Sequence, residues 1–340
     1  MRCATRSAAS PGSVIEVDLL EVQDLRVEFA TGEGPVCVAE EVSFSIGEGE
    51  TFGLVGESGS GKTVTSLAIL GMIRPPAGTV TGSVRLAGRE LVGLPTRALR
   101  EVRGRQVAMI FQEPRRSLDP AFTVGDQIGE TVRAHLGGSR REARARAVEM
   151  LDLVGIPDAA RRVHAYPHEF SGGMAQRVML AIALSCSPKL LIADEPTTAL
   201  DVTVQDRVLN LMKDLQAELG LSILFISHDL GVVAQMCDRI AVMYAGQIVE
   251  RADALDLFLR PQHPYTAGLL RSVPRSGEVA HELWAIPGVV PPALDRPTGC
   301  RFHPRCEFAV DRCRDEVPVL LDGRAARCLL APDLALEGIG

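Results

Sequence analysis

The sequence predicts an α/β fold: a buried parallel sheet bearing a phosphate-binding loop, with an antiparallel β subdomain, a helical subdomain and a C-terminal cysteine-containing extension. Three observations carry this. Gly56-Glu57-Ser58-Gly59-Ser60-Gly61-Lys62-Thr63 sits between an apolar strand, Thr51 to Val55, and a helix rich in Leu, Ile and Ala. Leu190–Ala193 and Ser222–Ser227 are continuous apolar runs that each follow a helical pattern, as expected of central strands buried on both faces. After about residue 260 prolines recur, and four of the eight cysteines fall there, so a distinct C-terminal unit is expected.

Taken in chain order, residues 1–19 are expected to form a flexible tail: they are small and polar and lack the apolar core of a secretory signal. Leu20–Phe29, Glu41–Ile46 and Ser83–Leu86 are short alternating or apolar runs between Gly-rich turns, which predicts the antiparallel element. In the octapeptide 56–63 the glycines reach backbone geometries closed to other residues, so successive N–H groups can face phosphate oxygens. Lys62 reaches the outer phosphates and the Thr63 hydroxyl can ligate Mg²⁺. The following helix adds the positive end of its dipole. A nucleoside triphosphate is therefore the expected ligand. Thr123 to Leu153 is helix-compatible, and the arginines of Ser139–Leu153 form a solvated face.

A formal net charge of −7 argues against a protein that binds by neutralising nucleic-acid phosphates, so no nucleic-acid partner is expected. No run approaches the roughly twenty uninterrupted apolar residues that span a bilayer, so a membrane role must pass through partners.

Two further motifs surround the phosphate loop. Lys189–Glu195 is an apolar strand ending in two acids, which places both carboxylates at the strand's carboxyl end, where open α/β sheets bind ligands. Asp194 is the candidate Mg²⁺ ligand, and Glu195 the candidate base for the water that attacks the γ-phosphate. Phe170–Arg177 begins a helix running to about Ser187, with Ser171 as N-cap and the paired glycines Gly172 and Gly173 permitting close approach to an anion.

With these motifs in hand, the chain closely resembles the nucleotide-binding subunit of ATP-binding cassette (ABC) transporters over about residues 20 to 330. Gly56–Thr63 matches Walker A, Leu190–Glu195 Walker B, Ser171-Gly172-Gly173 the signature, and Gln112 the Q-loop. Thr197–Asp201 matches the D-loop, and His228, closing the strand Ser222–Ser227, the switch histidine. The resemblance implies a P-loop (RecA-like) cassette over residues 20–258, with a helical subdomain at about 113–187 and an extension over 259–340. It also implies that two cassettes sandwich two Mg-ATP molecules head to tail. Ser171 and Gly173 would then meet the γ-phosphate held by the partner's loop. His228 would contact the γ-phosphate, Gln112 would sense Mg²⁺, and an aromatic such as Phe29 would stack on adenine. Phe29 reads equally as a core residue of an amphipathic strand. Met174 stands where many signatures have glutamine, although methionine is familiar in the peptide-transport branch.

Gln112-Glu113-Pro114 with Ser117–Pro120, His263–Thr266 and Gly299–Cys306 resemble the dipeptide and oligopeptide importers. The partners so implied are a second ATPase subunit, two membrane-spanning permease subunits and an extracytoplasmic peptide-binding protein, with the chain peripheral on the cytoplasmic face. A different cargo (nickel, an opine, a peptide-like compound) or a non-transport ABC regulator are the alternatives. Cys300, Cys306, Cys313 and Cys328 are separated by five, six and fourteen residues. Clustered cytosolic cysteines point to a metal or redox centre, and these gaps are wider than those of structural zinc. Four thiolates can hold an iron–sulfur cluster, and the resemblance implies a [4Fe–4S] cluster here, with Zn²⁺ as the alternative. Cys3, Cys37, Cys186 and Cys237 read as ordinary tail or buried thiols.

Overall fold

The computed structural model describes residues 18–198, 200–273, 284–320, 325–331 and 333–339. Most of the expected N-terminal tail, with Cys3, lies outside them, as does Ala199 of the expected D-loop. Strands follow the order β1 (Leu20–Thr31), β2 (Gly34–Ile46), β3 (Thr51–Val55), β4 (Gly78–Leu86), β5 (Arg89–Glu90) and β6 (Val107–Ile110). They continue with β7 (Leu190–Asp194), β8 (Ser222–Ser227), β9 (Arg239–Tyr244), β10 (Gln247–Asp253) and β11 (Ala325–Ala326). A four-stranded antiparallel sheet has the order β2-β1-β4-β5, and a seven-stranded sheet the order β11-β10-β9-β3-β8-β7-β6. In the larger sheet β6, β7, β8, β3 and β9 are parallel, while β10 and β11 are antiparallel additions at one edge.

The continuous apolar runs are explained by two cores, one on each face of this sheet. Because side chains alternate along a strand, Leu190, Ile192, Leu224 and Ile226 pack toward the antiparallel sheet. Leu191, Ala193, Ile223 and Phe225 pack toward the helices. Every residue of β3, β7 and β8 is buried. Register then fixes the site: Val55 pairs with Ser227 and Asp194 with Ile226, so the carboxyl ends of β3, β7 and β8 finish side by side. The phosphate loop, Glu195 and His228 all leave the sheet from that edge.

The helical insertion contains the helices Val124–Leu136 and Arg140–Leu153. Ser139 and Glu142 cap the second one reciprocally, and Ala143, Ala147, Met150 and Leu151 form its buried stripe, while Arg140, Arg141 and Arg144 stay exposed. The signature helix ends at Leu184, short of the expected Ser187.

Two features were not apparent in the sequence. β2 begins at Gly34, seven residues before the expected run, because register shifts in the β1–β2 ladder and a left-handed Glu41 (φ 50°) break the alternation that marks a strand. β9 and β10 form a buried hairpin across Ala245-Gly246, whose φ angles of 45° and 86° are the left-handed pair a tight hairpin turn uses. The extension is also stitched to the cassette: β11 pairs with β10, and buried Arg327 donates to Glu41 at 2.7 Å.

Candidate nucleotide site

The phosphate loop is held open by its own backbone. Gly56 (φ 150°) lies so close to β9 that a Cβ there would sit 2.1 Å from the Met243 carbonyl oxygen, and Gly61 (φ 106°) crowds the Met243 side chain in the same way. Lys62, only 6% exposed, donates from Nζ to the carbonyls of Gly56 (2.7 Å) and Glu57 (3.0 Å). Burial lowers its pKa, opposed by the nearby carboxylates of Glu195, Asp194 and Glu57.

At the end of β7 the two acids differ, as expected from their positions. Asp194 is buried, which raises its pKa; Thr63 hydrogen-bonds to its carboxyl group, and its Oδ1 has no hydrogen-bond partner. An orphaned carboxylate oxygen beside a threonine hydroxyl is a donor set suited to a hard cation such as Mg²⁺. Glu195 stands one residue beyond, in a left-handed conformation (φ 47°) that costs of the order of 1–3 kcal/mol and persists only where its surroundings over-determine it. They do. Its N–H donates to Ile226 O at 2.9 Å, and Gln112 Nε2 and Thr198 Oγ1 each donate to Oε2 at 2.9 Å. His228 Nδ1 lies 3.1 Å from Oε1. Burial opposes ionisation of Glu195, but the hydrogen bonds from His228 and Thr198 and the charges of His228 and Lys62 outweigh it and hold the carboxyl below its ordinary value.

Lys62, Thr63, Gln112, Asp194, Glu195 and His228 are thus gathered at one sheet edge. Thr198 joins them unanticipated, although it lies inside the D-loop match. Ser58 and Gly59 continue the loop between Glu57 and Ser60; Gly59 has φ 80°, and the Ser60 Oγ is buried without a partner. The remaining expected residues lie elsewhere. Ser171 caps its own helix by accepting from Met174 N at 3.4 Å, and Asp201 caps Val202–Leu219 by accepting from Val204 N at 3.0 Å. These two helix starts touch: a Cβ on Gly173 would come within 2.5 Å of Val204 Cγ1, and one on Gly172 within 3.6 Å of Leu200 Cδ2. Among the described residues none of Ser171, Gly172, Gly173 or Asp201 hydrogen-bonds to the phosphate loop or to Glu195. Phe29 is half-buried against the core of the antiparallel sheet, its ring beside Gly78.

Cys300, Cys306, Cys313 and Cys328 line one cavity together with His263, Phe302 and His303, leaving about 10 Å³ of open space. The Cys300 N–H donates to Cys313 O at 2.9 Å. Burial pushes the Cys300 thiol up to about 11 and the Cys306 thiol up to about 12. Among the described residues no group of three or more His, Cys, Asp or Glu residues is placed to hold a metal ion. The four cysteines of the expected metal centre thus share a cavity without forming such a group among the described residues. No helix among the described residues is long and apolar enough to cross a membrane.

A parallel sheet with a phosphate loop, a strand-end acid pair and a histidine closing on the second acid define an ATPase of the ABC cassette class. The ABC transporter family matches residues 39–198, and the family "Oligopeptide/dipeptide transporter, C-terminal region" matches residues 249–313. The dipeptide transport ATP-binding protein DppD of Escherichia coli is 48% identical over 313 residues, covering 91% of this chain and 96% of that protein. The oligopeptide transport ATP-binding protein AppD of Bacillus subtilis is 51% identical over 323 residues, covering 94% and 98%. Among solved structures, the dimeric post-hydrolysis state of the ATP-binding cassette MJ0796 with ADP and Pi superimposes with TM-score 0.61 at 26% identity, over 69% of this chain and 98% of that one. The cbiO1 subunit of Clostridium perfringens gives TM-score 0.60 at 25% identity, over 71% and 90%. The chain belongs to the ATP-binding subunits of ABC transporters, in the dipeptide and oligopeptide branch.

Proposed function

We infer that this chain hydrolyses ATP to drive uptake of di- or oligopeptides through partner permease subunits. Hydrolysis rests chiefly on one observation, the convergence of Gln112, Thr198 and His228 on the Glu195 carboxylate, and the peptide cargo on the likeness of residues 249–313 to the oligopeptide/dipeptide transporter C-terminal region. Residues 56–63 bind the triphosphate, with Lys62 on its outer phosphates. Thr63, Asp194 and Gln112 would hold Mg²⁺, which when bound would supply positive charge to the phosphate oxygens. Glu195, kept ionised by its neighbours, accepts a proton from the attacking water, and His228 both aligns Glu195 and reaches the γ-phosphate. Phe29 stacks on adenine. Ser171, Gly172 and Gly173 serve the nucleotide bound by a second cassette, and Asp201 fixes the helix against which they pack. Hydrolysis then requires a pair of cassettes, either identical or homologous.

In this scheme residues 20–258 are the ATPase domain, with its helical subdomain at about 113–187, and 259–340 the extension. The subunit sits peripherally at the cytoplasmic face, bound to two permeases, while an extracytoplasmic binding protein delivers the peptide. Uptake of labelled di- and oligopeptides tests this: cells lacking this chain should lose it and regain it on complementation. Unchanged uptake would refute the cargo assignment.

The four cysteines facing one cavity support a second element of the reading, a [4Fe–4S] cluster. A zinc ion needs its sulfurs converged at about 2.3 Å on one point, an arrangement absent among the described residues. A cluster spreads four thiolates around a larger body, so loading would have to widen the cavity. Anaerobically purified protein is expected to contain iron and acid-labile sulfide. Cys313→Ser is expected to make residues 260–340 protease-sensitive before ATP turnover falls. Zinc alone, or no metal at all, would reject the cluster.

A further inference from the structure

The extension reaches the phosphate loop directly, and it does so through Glu57. Arg305 forms a two-pronged ion pair with this residue: Nη1 lies 2.7 Å from Oε2 and Nη2 3.0 Å from Oε1. The Arg305 side chain is only 5% exposed, whereas that of Glu57 is 32% exposed. The Glu57 N–H donates to the Tyr265 hydroxyl at 2.9 Å. The carbonyl of the same residue accepts from Lys62 Nζ at 3.0 Å and from the Ser60 N–H at 3.2 Å. One residue therefore joins the extension, by its carboxylate and amide, to the phosphate-binding lysine and the loop backbone, by its carbonyl. Arg305 is itself fixed, donating to Pro287 O at 2.7 Å and to Ile286 O at 3.3 Å, with its guanidinium over the Tyr244 ring. Tyr244, Tyr265 and Phe302 pack as one aromatic cluster, and Phe302 also walls the four-cysteine cavity.

We propose that Arg305, supported by Tyr265, is a positioning residue for nucleotide binding, clamping Glu57 so that the docked extension sets the shape of the phosphate loop. A planar guanidinium gripping a carboxylate at two points fixes orientation as well as distance. Releasing it frees the Glu57 main chain, against which Lys62 is braced. The loop must then be ordered by the nucleotide itself, and that cost appears as weaker binding. Chemistry at Glu195 lies across the sheet edge and makes no hydrogen bond to Glu57 or Arg305 among the described residues, so the chemical step should change little.

The inference rests on the ATPase reading, and titration of the full-length protein with a fluorescent Mg-ATP analogue separates the two. Binding by the unaltered protein tests the ATPase reading; its change on substitution tests the clamp. Arg305→Ala is expected to weaken binding at least tenfold, equivalent to 1.4 kcal/mol, and to raise KM for ATP similarly while kcat stays within about twofold. Arg305→Lys, which keeps charge but loses the two-pronged grip, should fall between. Glu57→Gln should weaken binding comparably, and the Glu57→Gln, Arg305→Ala double variant no further, because both remove the same interaction. A lowered melting temperature with unaltered affinity in Arg305→Ala, or additive losses in the double variant, would overturn the proposal. Should Arg305→Ala fail to fold, Arg305→Lys and Glu57→Gln still decide it: unaltered affinity in both rejects the clamp.

Discussion

Glu195→Gln is expected to lower ATP turnover by a factor of at least about 10² while leaving ATP bound, since a positioned general base contributes roughly 10²–10⁴-fold. The substitution preserves the shape of the side chain. Its amide oxygen can still accept from Gln112 and Thr198, which both donate to Oε2, so the loop and the left-handed backbone at this position should survive. What disappears is the ability to take a proton from water. The paired state that normally ends with hydrolysis should then persist, and gel filtration with Mg-ATP should show dimers that the unaltered protein forms only transiently. Single-turnover hydrolysis at the unaltered rate would remove Glu195 from its assigned role. The same assignment fixes the sign of one pH effect. The Glu195 carboxyl is held below its ordinary value of 4.5, so its basic form persists through neutral pH, and activity dependent on it should be lost only as pH falls below that value.

The parts of this site that the sequence discloses are those in which local chemistry and position coincide. Leu190–Glu195 is legible because burial on both faces forces every residue of the strand to be apolar until the acids at its end. Gly56 and Gly61 are legible because no other residue tolerates their backbone and their proximity to Met243. Thr198 was within view but had no visible role, because a threonine in a loop acquires one only when folding brings it to Glu195. The Arg305–Glu57 pair is less accessible still: its members are 248 positions apart, and Arg301 and Arg305 flank the same short turn with equal claim on a carboxylate. Arg301 in fact turns to Glu40 and to the Ala245 carbonyl. Only the path of the extension over β2 and the β9–β10 turn decides between them. The cysteines illustrate the reverse case. Their grouping in sequence is matched by a shared cavity, but spacing alone does not give the distances between sulfurs that separate a single-ion site from a cluster or from four protonated thiols.

Lys62→Ala should have the other large effect, weakening Mg-ATP binding by about a hundredfold or more and abolishing transport. Lys62 is the cation within reach of Glu57, Asp194 and Glu195 that opposes their combined charge. Its removal places an incoming polyanion against Asp194 and Glu195, since Glu57 is already paired with Arg305, and leaves backbone dipoles, His228 and the metal to balance them. It also leaves the Gly56 and Glu57 carbonyls without the ammonium that ties them together, so the loop loses both charge and shape. Stability alone should respond less, because the buried ammonium carries a desolvation cost that the alanine variant is spared. Thermal melting with and without nucleotide separates these effects. A ligand at a hundred times its Kd stabilises a folded protein by about 2.7 kcal/mol, so the unaltered chain should melt higher in Mg-ATP and the variant should not. Equal stabilisation of both, or transport by the variant at the unaltered rate, would mean that the triphosphate is held elsewhere and that the sheet edge carrying Lys62, Asp194 and Glu195 is not the seat of hydrolysis.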